Sequence, residues 1–115
     1  MKEQLSDQGL LKTQAFINGQ WVDANDGATI DVTNPATGEV LASVAKLGAA
    51  ETADAIEAAA TAMESWRQLP AKARSNILRD WFNIIMANQE DLARIMTLEQ
   101  GKVIAESRGE VAYGA

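Results

Sequence analysis

Apolar and polar residues alternate with a two-residue period in the first part of the chain, which is typical of short strands with one buried face. Two apolar pairs flank Asn18-Gly19, the dipeptide that best tolerates the positive φ angles of a type I′ turn, so a β-hairpin is predicted there. Alternation in TIDVT and, after the turn signal NPATGE, the run Val40–Val44 predict further strands. We expect a small antiparallel meander of three or four strands over about residues 15–47.

From Ala49 the apolar residues recur at steps of three and four, which is the period of an amphipathic helix. Pro70 suits the start of a second helix of about residues 70–87. A break near Asn88 and a left-handed cap at Gly101 divide the remainder into further helices. Residues 49–115 are therefore predicted to form three to four helices, and the second carries a broad apolar face: Ile77, Leu78, Trp81, Ile84 and Ile85.

These elements predict an α+β segment with two parts. Residues 1–14 are predicted to form an N-terminal arm and residues 15–115 one incomplete unit, because the chain stops at Ala115 without a convincing helix cap. A length of 115 residues fits one small domain or a piece of a larger one. Large aromatic residues at strand and stripe positions are usually core residues rather than pocket residues, and the chain has three tryptophans there: Trp21, Trp66 and Trp81.

Composition excludes several classes of function. With 10 Lys+Arg against 16 Asp+Glu, the net charge of -6 disfavours nucleic acid and anionic membranes as partners. The chain has no cysteine and no histidine, so it cannot form a disulfide, a thiol nucleophile, an imidazole base or a Cys/His metal site. No apolar run reaches the length of a signal peptide or a bilayer span. We therefore expect a soluble, cytoplasmic protein.

The step Glu99-Gln100-Gly101-Lys102 raises the question of a phosphate loop. A P-loop needs a glycine five positions before Gly101, a Ser or Thr after the lysine and a preceding strand, and all three are missing. The step therefore predicts a joint between two helices, with Lys102 near the carbonyl end of the first. No GxGxxG dinucleotide fingerprint is present either. The remaining charged candidates are interpreted as solvated, locally paired or ordinary surface charge: Arg94, Lys102, Glu106, Arg108 and Glu110.

Three stretches of the chain, at compatible spacings, resemble a known protein family. FINGQWVDA, DVTNPATGEVLASV and LARIMTLEQGKVIAESRGEVAYGA resemble the N-terminal portion of the aldehyde dehydrogenase superfamily, over about Ala15 to Ala115. TLEQGK followed by AESRGE is most similar to the succinate-semialdehyde dehydrogenases. One departure is Val103, where relatives commonly have proline, which would start the next helix with its φ already set.

The resemblance implies the α/β aldehyde dehydrogenase-like fold, of which this chain would be the N-terminal part of the cofactor-binding domain. Such enzymes oxidise small aldehydes to acids with NAD or NADP, through a cysteine thioester that a glutamate-activated water hydrolyses. All of those catalytic residues, and the main cofactor-binding residues, lie beyond Ala115. We therefore assign no catalytic and no cofactor-binding residue, and expect the segment alone to be inactive and the full-length enzyme to form dimers or tetramers.

Two alternatives remain open. Within the enzyme interpretation, glutarate semialdehyde or another aldehyde could replace succinate semialdehyde as substrate. Outside it, the apolar helix face could make the chain a non-enzymatic interaction module that binds a partner helix. If the chain is a segment of the enzyme, the stripe at Ile77, Trp81, Ile84 and Ile85 should be partly uncovered, and the isolated piece should associate or fold poorly.

The resemblance also implies a structural monovalent cation site. The matching positions are the main-chain oxygens of Val32 and Thr33 and the carboxylate of Glu99. Oxygen ligands of this kind suit a hard cation. The alternative, that Glu99 is solvated or caps a neighbouring element, is the more common role of such a residue.

Overall fold

The computed structural model describes all 115 residues. Four strands precede four helices, so the predicted order of strands followed by helices is confirmed. Two short 3-10 helices lie near the N-terminus, at Lys2–Gln4 and Gln8–Leu10. The strands are β1 (Ala15–Ile17), β2 (Gln20–Val22), β3 (Thr29–Thr33) and β4 (Val40–Ala45), and the helices are α1 (Ala49–Trp66), α2 (Ala71–Ala87), α3 (Gln89–Gln100) and α4 (Ile104–Gly114).

The predicted hairpin at Asn18-Gly19 is confirmed. β1 and β2 pair antiparallel, with Ala15 opposite Val22 and Ile17 opposite Gln20. Asn18 and Gly19 both have positive φ angles, 50° and 76°, which is the combination that a type I′ turn requires. The two-residue turn fixes the register of the hairpin.

The strands form two separate sheets rather than one continuous meander. β1 pairs only with β2, and β3 pairs only with β4. The chain between β2 and β3 satisfies part of its backbone within its own turn, where the Gly27 N–H donates to the Ala24 carbonyl at 2.8 Å. One backbone bond still ties the second sheet to the start of the first hairpin: the Ala45 N–H donates to the Thr13 carbonyl at 2.8 Å.

The helix boundaries lie where the sequence places its breaks. α1 ends at Trp66, and α2 begins directly after Pro70, whose φ is -54°. Asn88 separates α2 from α3, and its side-chain amide donates to the Ile84 carbonyl at 2.8 Å, which satisfies one of the last carbonyls of α2. Gly101, in the left-handed conformation, ends α3. None of the four helices combines the length and apolar composition needed to cross a membrane.

α3 and α4 share a small buried interface. Ser107 of α4 is fully buried, and its hydroxyl lies 2.8 Å from the hydroxyl of Thr97 on α3. Ala93 of α3 and Val111 of α4 are two of the four buried apolar residues of the chain. A buried hydroxyl pair of this kind satisfies both polar groups and fixes the relative position of the two helices.

Charged side chains reinforce this helix pair. The Arg108 guanidinium donates to both carboxylate oxygens of Glu90, at 2.7 and 2.9 Å, and this contact lowers the pKa of Glu90. Lys102 forms an ion pair with Glu110, and Arg94 donates to a backbone carbonyl of the N-terminal arm at 2.8 Å. The interpretation of the basic residues as ordinary surface charge was therefore incomplete, because each of them ties one segment of the chain to another.

The chain buries very few of its residues. Only six are buried, and the α2 stripe is open: Ile77 is 49% exposed and Trp81 and Ile84 are each 62% exposed. Ile85 is half-buried. The predicted partial exposure of this stripe is confirmed, whereas the association of the isolated chain stays a prediction. The molecule is a flat body of 49 × 36 × 19 Å, so its apolar side chains lie close to the surface.

The tryptophans do not form a core within this chain: the prediction of a core position was wrong for Trp21, whereas the exposure of Trp81 is the one predicted for the open α2 stripe. Trp21 and Trp81 are exposed, because no element of the chain covers their faces, and Trp66 is half-buried. Trp21 instead packs beside Phe16, with ring centroids 5.1 Å apart, and the Lys12 ammonium lies 5.1 Å from its ring. These contacts partly shield Trp21 on its own hairpin.

The carboxylate of Glu51 joins the start of α1 to the loop after β2. It accepts N–H bonds from Gly48, directly before the helix, at 3.1 Å and from Asn25 at 3.0 Å. The bond from Gly48 is half of a capping box, and the bond from Asn25 crosses to the first hairpin's exit loop. Both bonds lower the pKa of Glu51, with the Asn25 bond as the larger cause.

The lowered pKa of Glu51 predicts a pH-dependent contribution to stability. The contribution is fully present above the ordinary glutamate pKa of 4.5 and is lost as the pH falls through the lower value of the folded state. We therefore expect Glu51→Gln to unfold at a lower urea concentration than the wild type at about pH 7, and the difference to shrink at about pH 3.5. Glu57→Gln, on an exposed position of the same helix, is the control. A deficit of the Glu51 variant that stayed constant with pH would contradict this assignment.

Candidate functional site

The joint between α3 and α4 contains the step Gly101-Lys102. Gly101 has φ 84° and ψ 4°, and its N–H donates to the Thr97 carbonyl at 2.9 Å. This is a left-handed helix cap, so the prediction of a helix joint rather than a phosphate loop is confirmed. Val103 has φ -69°, close to the value that proline would impose, so the valine found here permits the same start of α4.

The joint lies against the turn NPATGE between β3 and β4. A Cβ atom added to Gly101 would be 2.9 Å from Cγ of Pro35, closer than real Cβ contacts come. The turn itself is held by Asn34, whose side-chain oxygen accepts the Ala36 N–H at 2.9 Å and whose carbonyl accepts the Gly38 N–H at 2.8 Å. Glycine at position 101 is thus required twice, by its backbone angles and by its neighbour.

The residues of the predicted cation site lie on two elements, β3 and α3. Val32 is half-buried in β3, Thr33 is the exposed last residue of that strand, and Glu99 is exposed near the end of α3. The contact of Pro35 with Gly101 places the loop after Thr33 against the joint after Glu99. No cluster of three or more acidic, histidine or cysteine side chains exists that could hold a metal by side chains alone.

Lys102 follows the cap of α3, as the sequence predicts, and it also forms an ion pair that the sequence did not indicate. Its ammonium pairs with Glu110 on α4, and its side chain is only 16% exposed. Glu110 is therefore locally paired, and Glu106 is exposed. The pair holds α4 back against the joint, which is a structural role.

No catalytic constellation is present among the described residues. The larger surface grooves are open and mostly apolar, and one of them, of about 550 Å³, lies beside Met63, Trp66 and Leu69. A second, of about 480 Å³, runs between α3 and α4 past Met96, Glu99 and Val111. These grooves lack the convergent polar groups of a reaction site.

Comparison with known sequences identifies the protein family to which these elements belong. The model of the "Aldehyde dehydrogenase family" matches residues 21–115. The chain belongs to the aldehyde dehydrogenase family. The NADP⁺-dependent succinate-semialdehyde dehydrogenase of Escherichia coli is 59% identical over 111 residues, which cover 96% of this chain and 23% of that enzyme. A glutarate-semialdehyde dehydrogenase of Pseudomonas aeruginosa is 58% identical over 112 residues, covering 97% of this chain and 23% of that enzyme.

Solved structures of the dehydrogenase family share the fold of this segment. The crystal structure of an NADP-dependent enzyme of E. coli superposes with a TM-score of 0.93 at 58% identity, over 96% of this chain and 23% of that one. The succinate-semialdehyde dehydrogenase of Burkholderia pseudomallei superposes with a TM-score of 0.92 at 54% identity, with the same two coverages. The chain thus spans about a quarter of the length of these relatives, and its fold as an N-terminal segment of the family is confirmed.

Two polar residues with structural roles were missed by sequence reasoning. Asp91 and Ser107 are the two buried polar residues, and each is paired by a hydrogen bond to a distant segment. Ser107 lies within a stretch that looks polar, AESRGE, so nothing in the local pattern marks it as buried. Asp91 looks like an ordinary acidic residue in the first turn of a helix, a common and undistinguished feature.

The joint yields a direct stability prediction. Gly101→Ala should destabilise the fold by about 1–3 kcal/mol, because alanine is unfavourable at positive φ and its Cβ would meet Pro35. Gly109→Ala is the matched control, since a Cβ there has nothing within 4 Å and the residue lies inside α4. That control should be neutral or more stable by up to about 1 kcal/mol. Urea unfolding of both variants tests the prediction, and equal effects at the two glycines would refute it.

Proposed function

We propose that this chain serves as the N-terminal segment of an NAD(P)-dependent aldehyde dehydrogenase that oxidises succinate semialdehyde to succinate. The observation that carries the proposal is the 59% identity to the succinate-semialdehyde dehydrogenase of E. coli across nearly the whole chain. The TM-score of 0.92 to the succinate-semialdehyde dehydrogenase of B. pseudomallei, at 54% identity, is consistent with it. The catalytic residues would be supplied by the remaining part of such an enzyme.

The residues of this chain do not by themselves fit NAD or NADP. The chain has no glycine-rich pyrophosphate turn, and its grooves are open and mostly apolar. Its contribution is structural: α1 and α2 offer apolar faces on which the rest of a cofactor-binding domain can pack. The E. coli relative is an NADP⁺-dependent enzyme, and either NAD or NADP is compatible with the proposal.

Glutarate semialdehyde is the second candidate substrate. The glutarate-semialdehyde dehydrogenase of P. aeruginosa is 58% identical, which is nearly equal to the value for the E. coli enzyme. The two substrates differ by one methylene, which a pocket distinguishes by only about 10–200-fold in kcat/KM. A cytoplasmic location stays a prediction from the sequence, and assembly into dimers or tetramers stays a prediction from the resemblance.

The activity is tested with the full-length protein. We expect reduction of NAD⁺ or NADP⁺, followed at the absorbance of the reduced nicotinamide, with succinate semialdehyde giving the highest kcat/KM. Glutarate semialdehyde is the direct competitor, and acetaldehyde and betaine aldehyde are controls that lack a distal carboxylate. A preference for either control would contradict the semialdehyde assignment, and no reduction with any aldehyde would contradict the enzyme assignment.

We further propose that main-chain oxygens of Val32 and Thr33, together with the Glu99 carboxylate, hold a monovalent cation. The packing of Pro35 on Gly101 supports this, because it joins the end of β3 to the end of α3. Glu99 takes no part in the four ion pairs of the chain, so its carboxylate is available. A bound cation would fasten the second sheet to the α3–α4 joint.

The cation proposal predicts salt-specific stability. Binding to the folded state alone stabilises it by RT ln(1 + [L]/Kd), which is about 1.4 kcal/mol at ten times Kd. Unfolding in sodium or potassium chloride should therefore occur at a higher temperature than in choline chloride at equal ionic strength. Glu99→Gln should abolish the difference, whereas Glu64→Gln, an exposed glutamate on α1, should keep it. No difference between the salts in the wild type would mean that Glu99 is simply solvated.

A further inference from the structure

We propose that the first seven residues form a releasable strap, which the carboxylate of Asp91 holds on α3. Both oxygens of this carboxylate accept backbone N–H groups of the strap: Oδ1 from Ser6 at 3.0 Å and Oδ2 from Asp7 at 2.8 Å. A carboxylate that accepts two backbone donors side by side is a strong, directional anchor. The recognition uses main-chain groups of the strap, so it depends on the shape of the strap more than on its side chains.

The anchor is effective because Asp91 is shielded from water. The residue is only 5% exposed, and a shielded carboxylate is costly unless hydrogen bonds compensate its lost hydration. The strap provides those bonds and part of the shielding at once. Asp91 is the third residue of α3, where the helix dipole also favours a carboxylate. When the strap detaches, water replaces its N–H donors and the charged carboxylate stays stable at this position.

The other contacts of the strap lie within the same few residues. Leu5 is 6% exposed and is one of the four buried apolar residues of the chain. The Gln4 carbonyl accepts a hydrogen bond from the Arg94 guanidinium at 2.8 Å. Past Asp7 the arm is mostly exposed up to β1, with Leu10 and Leu11 half-buried. Because the attachment is concentrated at Gln4–Asp7, and the strap contains only the short 3-10 helix Lys2–Gln4 and no strand, it can detach without unfolding α1 to α4.

Release of the strap would affect the contacts of α4 through Arg94. The guanidinium that holds the strap also lies 3.7 Å from Glu90, and Glu90 is the residue that Arg108 of α4 clamps. With the strap docked, Arg94 is shared between Gln4 and Glu90. With the strap released, Arg94 is free to pair fully with Glu90 and to compete with Arg108. The docked strap thereby favours the arrangement in which Glu90 pairs with Arg108 and links α3 to α4.

Hydrogen exchange of the full-length protein, followed by mass spectrometry, tests the strap. In Asp91→Asn the amide offers one acceptor where the carboxylate offers two, so exchange at Ser6 and Asp7 should rise by about tenfold or more. Peptides from α2 should exchange as in the wild type. Asp80→Asn makes the same change at an exposed position of α2 and should leave the exchange of the strap unaltered.

Two results would overturn the proposal. Unchanged exchange at Ser6 and Asp7 in Asp91→Asn would show that Asp91 is not the anchor, and equal acceleration in every peptide would show that the strap does not open separately. If the variant does not fold, the wild type decides in low denaturant. There the strap amides should exchange faster than the amides around Ala93, which is completely buried, and equal protection of the two regions would overturn the proposal.

Discussion

The left-handed turn at Gly101 is the constraint on which the relation between sheets and helices depends. Its φ of 84° ends α3, and the missing side chain leaves the space that Pro35 occupies. A single residue thus stops a helix, reverses the chain and seats the β3–β4 turn. The reversal also allows α4 to return along α3, where Ser107 meets Thr97. Any residue with a Cβ would disturb all of these at once.

Polar contacts hold the elements of this chain in position, as an apolar core does in a complete domain. Glu51 links the first hairpin's exit loop to α1, Glu90 links α3 to α4, and Asp91 links α3 to the arm. Only four apolar residues are buried, so burial of apolar surface within the chain is small. These carboxylates set the positions of the elements, and the exposed faces of α1 and α2 remain available for packing.

The sequence predicted the features that depend on the backbone of one or two residues. Pro70 fixes φ, whereas Asn18-Gly19 and Gly101 tolerate positive φ, and each gave a turn or helix terminus at the expected place. Features that join distant residues could not be predicted in this way. Nothing near Asp91 indicates that its partners are residues 6 and 7, and the stripe position of Trp81 says only that its face needs a cover.

The candidate site likewise has a part that was predicted from the sequence and a part that only the structure shows. Its three residues, Val32, Thr33 and Glu99, were found through a family resemblance, because two of them would act through main-chain oxygen and so leave no trace in side-chain chemistry. The structure adds the contact that unites the two segments, Pro35 on Gly101. The absence of cysteine was visible from the composition, and its meaning became specific only once the dehydrogenase family was identified.

The anchoring of the arm on Asp91 has a consequence for the order of folding. Ser6 and its acceptor are 85 positions apart, so their hydrogen bond closes a very long loop. Closing such a loop costs more chain entropy than forming the hairpins or helices between its ends, and it is favourable only after α3 exists. Residues 6 and 7 are therefore among the last of this segment to acquire their native partners.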